Sequence, residues 1–272
     1  MHVEDKVAVV TGAGNGIGAA LAARLVAAGA RVLVADLDGD AARRVARELD
    51  PEDAGLAVGV GADVSDPDRI REIVDRAEAD LGPVALYFAN AGIAGGAGLE
   101  ADEAAWDRAL DVNLRAHVRA AQLMVPRWLE RGEGYFVSTA SAAGLLTQIG
   151  SATYSATKHA AVGFAEWLSV TYGGRGIGVS CVCPMGVNTQ LLHEGETAGD
   201  SLGAAATRAV TSAGAVLEPA DVAEVVLAGV EAEQFLILPH PEVLDMYRMK
   251  GADYDRWLAG MRRYQERLLA GI

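Results

Sequence analysis

Val7-Ala8-Val9-Val10-Thr11-Gly12-Ala13-Gly14-Asn15-Gly16-Ile17-Gly18 is the stretch on which the fold turns. Val7 to Thr11 is a short apolar run rich in β-branched residues, the composition of a buried strand. The glycines end it, and an Ala-, Leu- and Arg-rich segment of helical period follows from about Gly16 to Ala28. Glycine between a strand and a helix lets the backbone turn tightly and come close to a pyrophosphate, whose charge then rests against free amides at the helix amino end.

Working outward, the same alternation repeats. Strands are predicted at Arg31 to Asp36, Leu56 to Val60, Val84 to Ala89, Gly134 to Ser138 and Ile177 to Val182, with a short one at Phe235 to Leu238. Helices are predicted near Asp40 to Leu49, Asp68 to Leu81, Glu103 to Trp128 and Tyr154 to Tyr172. Strand-helix alternation implies right-handed crossovers, hence an α/β fold with a doubly wound parallel sheet of about seven strands and helices on both faces. Such sheets bind ligands beyond the carboxyl ends of their strands, so the residues just after each strand carry the chemical information. Two regions fall outside the pattern. The stretch 188–215 is rich in Gly, Ala and Thr with weak periodicity and reads as a mobile segment able to cover a site, and 241–272 reads as an amphipathic helical extension. No linker divides the 272 residues, and one domain is expected.

Asp36 closes the second strand about twenty residues after the turn, where a carboxylate accepts hydrogen bonds from both hydroxyls of an adenine ribose. The same charge repels a 2′-phosphate, and Leu37 and Asp38 offer no basic group to bind one. NAD is therefore the expected cofactor and NADP the disfavoured one. Further along, Tyr154-Ser155-Ala156-Thr157-Lys158 opens a predicted helix, and a spacing of four residues puts phenol and ammonium on one face. A cation there is expected to favour the phenolate and bring proton exchange nearer to neutral pH. With only Lys6, Lys158 and Lys250 as lysines, coincidence explains the pairing poorly. Thirteen positions before the tyrosine, Ser141 sits at the end of the fifth strand, where its hydroxyl is expected to face the crevice and hydrogen-bond a substrate oxygen. Ser138 competes for that role, and the spacing to Tyr154 favours Ser141.

Composition narrows the partners. Hydrophobic residues at 51% and charged residues at 22% describe a globular chain with a large core. A net charge of −14 with no clustered basic face argues against nucleic acid. The amino terminus enters a strand pattern at once, without the apolar core of a signal peptide, and no apolar stretch of spanning length escapes Arg or Asp, so a cytoplasmic protein without a membrane partner is expected. Cys181 and Cys183, one residue apart in an apolar run, are expected on opposite faces of a strand as buried, inert thiols, neither bridged nor clamping a metal. No metal is expected.

Taken in order, Thr11-Gly12-x-x-x-Gly16-x-Gly18, Asp63-Val64 after the third strand, Asn90-Ala91-Gly92 after the fourth, Asn113, Ser141 and Tyr154-x-x-x-Lys158 make the chain resemble the short-chain dehydrogenase/reductase family, in its one-domain Rossmann form, from Lys6 to about Leu238. The resemblance implies a catalytic set of Ser141, Tyr154, Lys158 and Asn113. It implies a cofactor-binding set of Gly12, Asn15, Gly16, Ile17, Gly18, Asp36, Leu37, Asp63, Val64, Asn90, Ala91, Gly92, Tyr154, Lys158, Pro184, Val187 and Thr189. In that set Asp63 and Val64 would contact adenine, Asn90 and Gly92 would floor the site, Lys158 would hold the nicotinamide ribose, Asn113 would position a water leading from Lys158 to solvent, and Thr189 would lie near the carboxamide or pyrophosphate. A homotetramer or homodimer joined through the long helices is implied as well. One departure stands out: Pro184-Met185-Gly186 puts methionine where the family carries glycine, which would narrow the pocket or demand another backbone angle.

The reaction so implied interconverts a secondary alcohol and a ketone, with NAD as hydride carrier and Tyr154 as acid or base. The expected pocket, Ala94 to Leu99, Leu145 to Ile149, Met185 and the residues after Thr189, is mostly apolar and suits a hydrophobic small molecule. A redox sensor that binds NAD(H) without turning over, and sugar-nucleotide epimerisation on the same sheet, are the rival readings. His117, His159 and His193 have no metal-ligand spacing and read as structural or surface residues, His193 in the covering segment being the one able to meet substrate.

Overall fold

The computed structural model describes residues 1–95, 98–197 and 201–271. The parts of the expected pocket and covering segment at Gly96, Ala97 and 198–200, and Ile272 in the extension, lie outside the described residues. The chain runs β1 (Val7–Thr11), α1 (Gly16–Ala27), β2 (Arg31–Asp36), α2 (Gly39–Leu49), β3 (Ala57–Gly61), α3 (Pro67–Asp80), β4 (Val84–Ala89), α4 (Glu103–Leu110), α5 (Ala116–Arg131), β5 (Gly134–Thr139), α6 (Ala152–Tyr172), β6 (Ile177–Val182), α7 (Gln190–Thr197), α8 (Ser201–Ala213), α9 (Pro219–Glu231), β7 (Leu236–Ile237), α10 (Glu242–Ala252) and α11 (Tyr254–Leu269). The strands form one seven-stranded sheet in the order β3-β2-β1-β4-β5-β6-β7, every neighbouring pair parallel.

Alternation along each strand decides which layer a residue joins. Val7 and Val9 enter a core shared with Ile70, Met124, Trp128 and Leu168, under α3, α5 and α6. Ala8 and Val10 enter the opposite core with Leu21, Leu25, Val226 and Leu227, under α1 and α9. Because both faces are buried, the strands read as continuous apolar runs, which is why they were conspicuous in the sequence. Trp128 anchors the first core, its Nε1 donating to Val84 O at 2.9 Å.

Strand order reverses between β1 and β4, so the loops leaving them diverge to opposite faces and open a crevice. Its floor is tied together by hydrogen bonds. Thr11 Oγ1 accepts from Asn90 N at 3.0 Å and Ala91 N at 3.2 Å, and Asn90 Nδ2 donates to Thr11 O at 3.0 Å.

Three expectations change. The helix anticipated through Glu103 to Trp128 is interrupted by a π-helical turn at Asp111–Arg115, so α4 and α5 are separate. The segment 188–215 forms α7 and α8 within its described part, small residues having hidden their period. Cys181 and Cys183 share one face, with their sulfurs 3.8 Å apart, because residues two apart in a pleated strand point the same way. Both remain unbridged and buried. Among the described residues no helix is long and apolar enough to cross a membrane.

Both thiols are 0% exposed, and the neighbouring sulfur together with burial raises the Cys181 pKa well above its ordinary value. A thiol reagent is expected to label neither in the native protein and both in denaturant, with native labelling on the order of a thousandfold slower. Rapid native labelling would contradict the burial.

Candidate active site

A cavity of about 420 Å³ opens over the carboxyl ends of the strands. All seventeen residues of the expected cofactor set line it, and so does Ser141. The glycine turn forms one end. Gly12 has a φ of +63° and lies so near the next loop that an added Cβ would stand 2.8 Å from Ala91 Cα. At Gly18 an added Cβ would overlap the Gly12 carbonyl. Asn15 precedes α1 without a side-chain cap, so no side chain of its own occupies the amides of the first turn. Backbone donors at a positive helix end, approachable because side chains are lacking, fit the pyrophosphate of a dinucleotide.

Asp36 is held by its surroundings: Gly14 N donates to Oδ2 at 2.8 Å and Asp38 N to Oδ1 at 2.9 Å. Each oxygen keeps a lone pair for a ribose hydroxyl. Asp38 faces the other way and caps α2, accepting from Asp40 N and Ala41 N. Arg44 was not singled out in the sequence, yet its Nη2 donates to Gly14 O at 3.3 Å, outside the cavity lining. Only the closure of α2 onto the glycine turn reveals it.

At the opposite end stand the residues expected to do chemistry. Ser151 caps α6 by accepting from Tyr154 N at 3.3 Å, which aims the first turn of the helix at the cavity. Ser141 Oγ accepts from Ala143 N at 3.1 Å and donates to Pro184 O at 3.4 Å, and it lines the same cavity as Tyr154. Ser138, the competitor, is turned away from the cavity and hydrogen-bonds His117 Nδ1 at 2.9 Å. Lys158 Nζ lies 5.6 Å from the centroid of the Tyr154 ring and donates to Thr139 O at 3.0 Å. Asn113 does not line the cavity: from the π-helical turn its Nδ2 donates to Ile93 O at 2.9 Å and its Oδ1 accepts from Ile93 N at 2.9 Å. An added Cβ on Gly92 would stand 3.3 Å from both Asn113 Oδ1 and Lys158 Nζ, so glycine there keeps the gap between amide and ammonium open.

Burial pushes the Tyr154 phenol above its ordinary pKa, and the Ser141 hydroxyl only partly opposes it. Lys158 sits over the ring, and its own pKa falls from 10.5 to about 8 through burial. Burial thus sets the direction of the phenol's shift in the chain by itself, upward from its ordinary value.

Met185 lines the cavity but is not among the residues with positive φ, so its side chain carries no backbone penalty. Its amide donates to His240 Nδ1 at 3.1 Å, and His240 Nε2 donates to Gly186 O at 3.0 Å and Ala215 O at 3.1 Å. His240 thus fixes this loop, a role without signal in the sequence beyond a histidine between two prolines. Thr189 Oγ1 donates to Val187 O at 3.3 Å and its methyl faces Gly16. Of Leu145 to Ile149 only Gln148 reaches the cavity; Leu145 and Leu146 are buried in the core. Ala206, Thr207 and Val210 of α8 complete the wall. His193 is exposed and bonded to Asn188 Oδ1, away from the lining. Among the described residues no group of three or more His, Cys, Asp or Glu could hold a metal.

The sequence model of the short chain dehydrogenase family matches residues 6–200. The chain is 41% identical over 197 residues to 1-deoxy-11-beta-hydroxypentalenate dehydrogenase of Streptomyces exfoliatus, covering 71% of each chain. It is 35% identical over 196 residues to cyclohexanol dehydrogenase of an Acinetobacter species, covering 71% of this chain and 78% of that one. Among solved structures it superposes with a TM-score of 0.84 and 31% identity on a short chain dehydrogenase/reductase from Burkholderia phymatum in complex with NAD, over 94% of this chain and 96% of that one.

His117 sits behind this site, 1% exposed, with its Nε2 lacking a partner. Burial first and the Lys158 charge second drive its pKa from 6.5 down to about 3. A depressed histidine is neutral in the fold and protonated in the unfolded chain between those values, so it lowers stability as pH falls from 6.5 toward 3. The stability difference between wild type and His117→Asn, from denaturant unfolding, is expected to shrink by roughly 1.4 kcal/mol per pH unit below that upper value. A difference independent of pH would contradict the buried neutral imidazole.

Proposed function

The chain belongs to the short-chain dehydrogenase/reductase family of oxidoreductases acting on alcohol and ketone groups, and from that premise we propose that it interconverts a hydrophobic secondary alcohol and its ketone, with NAD as cofactor and Tyr154 as the proton-transferring residue. The observation that carries this reading is the convergence of Ser141, Tyr154 and Lys158 at one end of a cavity whose other end is the glycine turn and Asp36.

The amides opening α1 would hold the pyrophosphate, Asp36 would accept from the adenine ribose hydroxyls, and Asp63 and Val64 would flank the adenine beside Leu37, all of them lining the cavity. Asn90, Ala91 and Gly92 form the floor, with Pro184, Val187 and Thr189 opposite. NAD, when bound, supplies or accepts the hydride.

In reduction, Ser141 holds the carbonyl oxygen and Tyr154 gives its proton to it as charge develops. In oxidation the phenol accepts the proton through the same contact. Lys158, still cationic near neutral pH, stabilises the phenolate left after donation and would hold the nicotinamide ribose. Asn113 and the open space at Gly92 lead from that ammonium toward Ile93, a path for a water to return the proton.

Apolar lining by Ile93, Ala94, Val112, Met185, Leu191, Leu192, Ala206 and Val210 supports a hydrophobic substrate, and α7 with α8 covers it. The relatives' names supply the substrate class: hydroxyl groups on hydrophobic ring carbons fit such a lining. The same reading takes the protein as a cytoplasmic homotetramer or homodimer, joined across α5 and α6, where Trp167 and Val170 stand exposed on α6.

Tyr154→Phe is expected to lower kcat on the order of a thousandfold while leaving NADH affinity, read by fluorescence titration, within about threefold. A Phe variant that turns over normally would end the assignment. Asp36→Asn, which removes the charge but keeps the shape, is expected to narrow the ratio of kcat/KM for NAD over NADP by about tenfold or more. An unchanged ratio would place cofactor selection elsewhere.

A further inference from the structure

Helix α8 has two faces with different neighbours. Ala206, Thr207 and Val210 look into the cavity, while Ala205 and Ala209 are buried against Ile149 and the α11 residues Met261, Tyr264 and Leu268. Polar contacts close the outer seam. Tyr264 OH donates to Ala209 O at 3.0 Å and lies 2.7 Å from Ser212 Oγ. Arg208 Nη2 donates at 2.9 Å to Leu268 O in the last turn of α11, where carbonyls lack helical partners.

From the inner side the approach of α8 is limited by backbone. Gly150 has a φ of +84°, and an added Cβ there would stand 3.0 Å from Ala206 Cβ. Gln148 Nε2 donates to Ala206 O at 3.2 Å. The loop after β5 thus sets how far inward the wall reaches, and α11 sets how far outward it can move. The extension is itself pinned to the helix that carries Tyr154 and Lys158. Lys250, 5% exposed, donates to Leu145 O at 2.7 Å and to His159 Nε2 at 3.3 Å. His159 Nδ1 donates to Ser155 O at 2.8 Å, leaving Nε2 as the acceptor.

The family match ends at residue 200, so both α8 and α11 lie outside the part of the chain that the family pattern describes. We propose that α11 is the backstop of the α8 wall, and that Tyr264 and Leu268 are positioning residues that set the largest secondary alcohol the cavity admits. The proposal rests on the dehydrogenase reading above and adds to it the determinant of substrate size. Neither residue touches substrate; both act through Ala205 and Ala209, by holding the other face of α8 against the cavity.

The test uses the full chain as wild type, Tyr264→Phe, Leu268→Ala and Leu268→Met. KM and kcat are measured with NAD for cyclic secondary alcohols graded in ring size, alongside NADH affinity and amide hydrogen exchange in α8 and α1. Tyr264→Phe and Leu268→Ala are expected to raise KM for the smallest ring by roughly threefold to tenfold and to lower it for the largest, with kcat for the small ring within about twofold and NADH affinity unchanged. Leu268→Met should behave as wild type, and α8 amides should exchange faster in the two disruptive variants while α1 amides do not. Equal KM shifts across all rings, or unchanged α8 exchange in Tyr264→Phe, which keeps the ring and loses one oxygen, would overturn the proposal. If wild type oxidises none of the alcohols, the dehydrogenase reading fails, and the exchange measurement by itself decides whether α11 holds α8.

Discussion

The site depends on one seam: the hydrogen bonds that join the ends of β1 and β4 through Thr11 and Asn90. Strand order reverses there, and the two loops leave toward opposite layers. Without the seam, divergence would leave buried amides unpaired at the bottom of the crevice, at a cost of about 1 to 3 kcal/mol each. With it, the glycine turn and the Asn90 loop lie close enough that a side chain on Gly12 would strike Ala91. Everything placed on those loops, from the α1 amides to the gap beside Gly92, takes its position from that contact.

The chemical end of the cavity is a problem in desolvation. A lysine and a histidine are buried beside a half-buried tyrosine, and the chain answers with a lysine shifted to about 8, a phenol shifted upward and a histidine kept neutral. The charge that survives, on Lys158, is stabilised by a backbone carbonyl and not by a carboxylate. A carboxylate partner would neutralise the cation's field on the phenol; a carbonyl satisfies the ammonium and leaves the field in place.

Much of this was legible in the sequence because the informative residues are local. The glycine turn, Asp36 at the end of β2 and Tyr154 four residues before Lys158 each combine a strand end or helix start with a short spacing, and the sheet brings them to one cavity. What escaped is tertiary. His240 acts on Met185, 55 residues away, and Arg44 meets the glycine turn only after α2 folds back. The π-helical turn at Asp111–Arg115 has no compositional marker, and α8 is written in Ala and Thr, residues too small to show a hydrophobic stripe. The cysteine pair failed on parity: residues two apart share a strand face. Spacing likewise reveals the neighbour of Tyr154 and not the burial that raises the phenol pKa.

The central claim is that hydride passes directly between NAD and an alcohol carbon in this crevice. It is tested most directly with hydrophobic secondary alcohols, cyclohexanol among them, carrying deuterium at the carbinol carbon, with the reduced cofactor examined by mass spectrometry. The account predicts that NADH formed in the reaction carries one deuterium on the nicotinamide ring. Reduced cofactor without the label, its deuterium lost to water, or no reduced cofactor from any of the alcohols, would contradict it.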